Sequence, residues 1–318
     1  MQNFEYAIAR SVDGAVELST SESRFLAGGI DLLGEMKESI TSPKRVIDLK
    51  PIPELGRIDT STTIWTIGAN VTIAEIARSE RILATLPGLA EAASEVGSPQ
   101  IRNVATLGGN LAQHSRCWYY RHRDLRCLKR GGSTCYAREG ENKYHSLFSG
   151  NPCVSPVVSN LAVILAALNA RVNVRRGDKE VTLTIGELYS DAWNNPLAHN
   201  SLLPSDLIVD VEIPTQKNRS AYLQISEKGD FDWALVSCAA AARNIGDQWA
   251  DVSVFLGAVA PIPYRLESPL LESGKLSPEA IESIAGSIAS KATPLAHNGY
   301  KVPIAQALVR RALTRIVS

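Results

Sequence analysis

No apolar run in the 318 residues approaches the ~18–20 needed to span a membrane. The start, MQNFEYAIARSVDGAVE, lacks the charged start followed by an apolar run and a small-residue cleavage site that marks an export signal. Net charge is absent too, since 33 Lys and Arg balance 33 Asp and Glu. That balance argues against general binding to nucleic acid or anionic membranes, which relies on a surplus of cations. A soluble, cytoplasmic chain is expected. There is no internal repeat, no low-complexity tract, no GxGxxG of a Rossmann crossover and no GxxxxGK[ST] of a P-loop. No acid–base dyad or nucleophilic triad stands out, so no catalytic residue is assigned. Cysteine is sparse at five residues, yet four of them fall between Cys117 and Cys153.

The length suggests two or three domains. Residues 1–55 read as a compact α/β unit, with a strand ending at Phe25-Leu26, a turn at Ala27-Gly28-Gly29, helical character over 30–36 and a strand over 45–49 stopped by Pro51 and Pro53. In the second unit, 56–215, a strand is expected over 64–68 and a helix over 72–77, with Thr72 as N-cap and Glu75 closing a capping box. An Ala/Leu-rich helix follows over 86–96. The apolar run 161–168 reads as strand or helix, and 170–174 reads as strand. The third unit, 216–318, carries apolar runs at 233–243 and 250–259 and helices over 278–289 and 304–317. The last of these is amphipathic, with Ile304, Leu308, Ala312 and Ile316 on one face.

Two glycine turns are candidates for ligand binding. Ala27-Gly28-Gly29-Ile30-Asp31 sits where a strand passes to a helix; glycines there admit a ligand close to the backbone, although a plain strand–helix turn has the same look. The second turn, in Ile101–Leu111, packs Thr106, Gly108, Gly109 and Asn110 together after a basic segment. Two such turns about 80 residues apart can grip one dinucleotide from both sides.

The clustered cysteines are spaced Cys117-x9-Cys127-x7-Cys135-x17-Cys153, unlike zinc knuckles or ferredoxin runs. Disulfides disagree with the missing export signal. From Arg116 to Lys143, eight Lys and Arg face Asp124, Glu139 and Glu141. Surrounding cations would stabilise a thiolate-bound iron–sulfur cubane, and Trp118, Tyr119, Tyr120, Tyr136 and Tyr144 can shield one from water. A zinc site with His114, His122 or His145 replacing one thiolate is the alternative metal centre, within a non-redox binding module. A basic, aromatic nucleic-acid patch leaves the cysteines unexplained. Cys238, in an apolar run, reads as a buried small hydrophobe.

AGGIDLL at 27–33, VIDL at 46–49, SPQIRNVATLGGNLAQ at 98–113 and GAVAPIPYR at 257–265 resemble the FAD-binding medium subunits of molybdenum hydroxylases, the xanthine dehydrogenase and carbon monoxide dehydrogenase family. The resemblance implies an α+β fold: a two-part FAD-binding domain of the vanillyl-alcohol-oxidase (PCMH) type, then a C-terminal α+β domain of the CO dehydrogenase flavoprotein type. It also implies that the turns wrap the FAD pyrophosphate and ribityl chain. By match, Ala27, Gly28, Gly29, Ile30, Asp31, Thr106, Gly108, Gly109 and Asn110 are the contacts, with Leu26 and Leu32 flanking. Ile30 stands where the family usually has Thr, which removes a hydroxyl. Ser159-Asn160 stands for the usual Ser-Asp, so Asn160 contributes an amide in place of a carboxylate. Lys228 matches a basic position near the flavin, or is a surface lysine.

The stretch from Cys117 to Cys153 resembles the insertion, here 114–153, of the flavoprotein subunits of bacterial periplasmic aldehyde oxidoreductases. A related insertion with a different last spacing occurs in 4-hydroxybenzoyl-CoA reductases. Both imply a [4Fe–4S] cluster on Cys117, Cys127, Cys135 and Cys153. The implied partners are a molybdenum-cofactor catalytic subunit, a [2Fe–2S] subunit and an external electron acceptor. A signal-bearing partner would carry the chain to the periplasm.

Overall fold

The computed structural model describes residues 1–229, 231–246 and 248–318. Near the N-terminus, β1 (Glu5–Ile8), β2 (Ser23–Leu26) and β3 (Arg45–Asp48) form a parallel sheet with β3 in the centre. Central placement explains why Val46 and Ile47 have no exposed surface. The helices Val12–Leu18 and Leu32–Lys37 are the crossovers that parallel pairing requires. The first glycine turn leaves the carboxyl end of β2, the end at which open parallel sheets take their ligands.

The next sheet is antiparallel. Strands β4 (Ile58–Asp59), β5 (Ile64–Gly68), β6 (Arg171–Arg176), β7 (Lys179–Thr184) and β8 (Leu207–Pro214) lie in the order β4-β5-β8-β6-β7. The expected capping box starts the helix Ile73–Arg78: Glu75 N–H donates to Thr72 Oγ1 at 3.2 Å, and Thr72 N–H to Glu75 Oε2 at 2.8 Å. The ambiguous run 161–168 is helical, spanning Asn160–Ala167. All of its residues are buried, between the Pro87–Ser94 helix and the third sheet. An element packed on every side keeps no polar face, so no periodicity marks it.

The third sheet contains β9 (Arg219–Ser226), β10 (Ala234–Ile245), β11 (Gln248–Gly257) and β12 (Tyr264–Arg265), antiparallel in the order β12-β11-β10-β9. β10 alternates between two cores. Ala239 and Ala241 face the layer holding the Asn160–Ala167 helix, while Cys238, Ala240 and Ala242 face the helices Pro278–Lys291 and Lys301–Val317. Cys238 is thus a fully buried small hydrophobe. On the last helix Leu308, Ala312 and Ile316 are buried, and Ile304 packs half-buried beside them. No helix among the described residues is long and apolar enough to cross a membrane.

Candidate functional site

A cleft with about 330 Å³ of enclosed space opens between the two glycine turns. Ala27, Gly28, Gly29, Ile30, Asp31 and Leu32 line one wall; Thr106, Gly108, Gly109 and Asn110 line the other. The turns meet directly, since a Cβ on Gly28 would collide with the carbonyl oxygen of Val104. Gly29 takes φ +74°, a left-handed value that costs glycine little. The second turn is tied to its own sheet by Gly108 N–H donating to Ala69 O at 2.9 Å and Leu107 N–H to Val71 O at 2.9 Å. Thr106 caps the helix Leu107–Ala112, with Oγ1 accepting from Gly109 N–H at 3.2 Å.

These walls offer donors. No hydrogen bond within the described residues uses the N–H of Gly28, Gly29 or Ile30. The hydroxyl proton of Thr106 has no acceptor among the described residues. Asn110 spends its Oδ1 on Ser159 Oγ at 2.6 Å, while its NH2 has no protein partner among the described residues. Backbone N–H groups, a hydroxyl and an amide converging on one cleft suit a diphosphate.

The carboxylates nearby are neutralised. Asp31 pairs with Arg116 at 2.7 Å and Arg121 at 2.6 Å, and accepts from His114 N–H at 2.7 Å. Burial alone would raise the Asp31 pKa, but the two guanidinium charges and the His114 amide outweigh it and hold the carboxyl below its ordinary value. Glu35, only 3% exposed, accepts from Tyr120 O–H at 2.8 Å and lies 3.0 Å from His114 Nδ1. Burial likewise opposes its ionisation, and the His114 hydrogen bond leads the groups that overcome it. The His114 ring stacks on His199, centroids 4.0 Å apart at 8°. Burial pushes His199 well below its usual range, and its Nδ1 accepts Ser115 N–H at 3.2 Å. Arg116 also reaches the ring of half-exposed Trp233, 4.9 Å from guanidinium carbon to ring centroid, at the rim of the cleft.

Beside the cleft, Cys117, Cys127, Cys135 and Cys153 all line one small cavity together with Tyr119, Tyr120, Lys129, Tyr136 and His145. All are free thiols. Cys117 begins the short helix Trp118–Arg121, and Cys127 precedes a 3-10 turn closed by Gly131 at φ +77°. Cys153 N–H donates to Asn151 Oδ1 at 2.8 Å, and Asn151 is anchored on Ala192 O and Trp193 O. The hydrogen bond between Cys135 and Cys153 favours the ionised form of Cys135 and the protonated form of Cys153. Lys129 is buried, which depresses its pKa, while all four sulfurs pull it back toward the charged form. Sulfurs sharing a single tetrahedral ion would stand about 3.8 Å apart. Among the described residues, the group with ligand atoms all within 4.8 Å is Asp31, Glu35 and His114, not any three of the cysteines. Of the three histidines near the loop, His114 turns to Glu35, His122 accepts from Asp124 N–H, and His145 Nε2 lies 3.2 Å from Cys117 Sγ.

Residues 2–216 match the family model of the FAD binding domain in molybdopterin dehydrogenase, and residues 220–316 match the CO dehydrogenase flavoprotein C-terminal domain. The chain belongs to the FAD-binding medium subunits of the molybdenum hydroxylases. It is 31% identical over 289 residues to the aldehyde oxidoreductase FAD-binding subunit PaoB of Escherichia coli, covering 89% of this chain and 88% of that one. The carbon monoxide dehydrogenase medium chain of Hydrogenophaga pseudoflava is 27% identical, over 98% of this chain and 96% of the other. A solved carbon monoxide dehydrogenase structure from that organism superposes with a TM-score of 0.76 at 24% identity, over 99% of this chain and 97% of that one. The two-part flavin domain and α+β C-terminal domain are therefore the fold.

Within this medium subunit, three expected flavin contacts are not on the cleft wall. Leu26 is buried beneath the first turn in the small core with Met36 and Val46. Asn160 Nδ2 donates to Gln224 Oε1 at 2.9 Å beside a separate small pocket. Lys228 is exposed, its backbone N–H donating to Asp232. Conversely, the walls include residues that sequence reasoning missed: Arg116, Trp233, Val96 and the segment from Leu202 to Ile208. The charged stem of the cysteine loop was the available hint for Arg116. Nothing local marks the Leu202–Ile208 wall, which leads into β8 and lies far along the chain from both glycine turns.

Proposed function

We propose that this medium subunit holds FAD in the cleft between its glycine turns and a [4Fe–4S] cluster on Cys117, Cys127, Cys135 and Cys153. In a heterotrimeric molybdenum hydroxylase of the aldehyde oxidoreductase or xanthine dehydrogenase type, it would take electrons from a [2Fe–2S] partner and pass them to an external acceptor. The convergence of four free cysteines and a buried lysine on one cavity beside the cleft carries this reading. A bound flavin accepts electrons singly from iron–sulfur centres and delivers one or two to an acceptor. The chain's own part is to bind and orient: the 28–30 backbone and Asn110 grip the polar chain, and Trp233 with Arg116 forms the rim. Substrate chemistry belongs to the molybdenum partner.

The basic and aromatic surroundings of the four cysteines, with Lys129 on the same cavity, favour an anionic cluster over one zinc ion. A 4-hydroxybenzoyl-CoA reductase-like β-type subunit would use the same two sites. The purified protein is expected to be yellow-brown, to release FAD on denaturation and to contain about four iron and four sulfide. Cys135→Ser should remove the iron while FAD remains bound at saturating flavin. Colourless, zinc-containing protein would overturn the proposal.

A further inference from the structure

The cysteine loop leaves the second glycine turn through the stem His114–Arg121, and this stem is bonded to the first glycine turn. Arg121 is held on one side by Ser115 O, to which its Nε donates at 2.7 Å, and its Nη2 reaches Asp31 at 2.6 Å. Its backbone N–H donates to Cys117 O at 2.9 Å, so Arg121 and Cys117 share a single helical turn. Arg116, adjacent to Cys117 in the chain, reaches the same Asp31 oxygen at 2.7 Å and itself lines the cleft. Asp31 directly follows Ile30, whose N–H belongs to the unpaired row facing the cleft. The helix Trp118–Arg121 is four residues long, and Cys117 gives it no side-chain cap. So short an element does not hold its own geometry; what fixes Cys117 fixes it.

We propose that Arg116 and Arg121 are positioning residues that couple the cysteine site to the flavin cleft. With the four cysteines ligated, the stem is rigid and the two guanidinium groups pin Asp31 and, through it, the Gly28–Ile30 turn in the form that accepts FAD. With the cysteine site empty, the stem loosens and the turn is no longer pinned. The coupling rests on the reading of the two sites proposed above. As a coupling between binding equilibria it is reciprocal: FAD should also protect the cluster.

The test uses the full-length chain freed of FAD, and measures FAD affinity by quenching of flavin fluorescence. Iron-loaded protein is compared with protein stripped of iron by anaerobic chelation, in the wild type and in Arg116→Gln/Arg121→Gln. Stripping should weaken FAD binding on the order of tenfold in the wild type. In the double variant binding should be weaker in both states, with a ratio near one. Should that variant not fold, Arg116→Gln alone should shrink the ratio, and in the wild type added FAD should slow iron loss to the chelator. Equal affinity of loaded and stripped wild type, or an unchanged ratio in the variants, overturns the coupling alone. Wild-type protein without iron or sulfide overturns the reading of the cysteine site, and the coupling with it.

Discussion

Asp31 and Glu35 ionise in a place where burial alone would keep them neutral, and what makes the difference is chain from far along the sequence. Both carboxyls have folded-state pKa values below their ordinary 3.8 and 4.5. The unfolded chain therefore binds more protons between the two sets of values, so their contribution to stability is complete above the ordinary values and is lost as pH falls through the folded ones. Asp31→Asn should unfold at lower denaturant than the wild type at about pH 6, and the gap should close toward about pH 3. Urea midpoints across that range check it; a gap that stays constant would mean the ionised pairs do not hold the turn. This network marks the limit of what single residues disclosed in the sequence. The Thr72 capping box, the glycine turns and the clustered cysteines were legible because each is a short pattern with a local cause. The bond from Arg121 to Asp31 spans 90 positions, and no local pattern announces it.

At the scale of elements, the wall of the cysteine cavity depends on the last helix, Lys301–Val317. Lys301 opens that helix with no exposed surface and donates to Tyr144 O at 2.9 Å, His145 O at 3.0 Å and Ala258 O at 2.9 Å. Asn298 adds bonds to His145 O and Ser146 O, and His297 N–H donates to Asn142 Oδ1. A loop without regular structure has many backbone groups to satisfy, and here the C-terminal domain supplies the donors. Lys301→Met keeps the stem's bulk and removes the donors, leaving Tyr144 O and Ala258 O unmatched at about 1–3 kcal/mol for each that stays buried, while His145 O keeps Asn298. Lower thermal stability and faster loss of iron to a chelator are expected together, with Asn298→Ala moving both in the same direction. Retention of iron at the wild-type rate would show that the loop holds itself. The helix was readable from its amphipathic repeat. Its first residue was not, because a lysine normally points to water and this one is buried by partners up to 157 residues away. The same holds for Asn160–Ala167, whose complete burial erased the periodicity that distinguishes helix from strand.

For the whole molecule, zero net charge conceals an uneven distribution that the fold then resolves. Part of the basic excess of the cysteine loop is spent inside, Arg116 and Arg121 on Asp31 and Lys129 beside the sulfurs, while Lys143 pairs with Glu227 at the surface and Arg123, Arg126 and Arg138 stay exposed. The same face carries a cleft rimmed by half-exposed Trp233, next to a cavity shielded by Tyr119, Tyr120 and Tyr136. On the function proposed above, both places hold carriers of electrons, and substrate chemistry falls to a partner. If the cleft is the exit for electrons, removing FAD from the assembled enzyme should separate two events that are normally linked. Substrate should still bleach the iron–sulfur absorbance in the FAD-free complex, because the proposed molybdenum and [2Fe–2S] centres would be intact. Steady-state reduction of an external acceptor should stop, and return when FAD is added back. The same experiment on Cys135→Ser, reconstituted with FAD, then assigns the second site: normal acceptor reduction places the cysteine site off the route and leaves it the role of bracing the flavin turn, whereas a turnover lost despite bound FAD places it on the route.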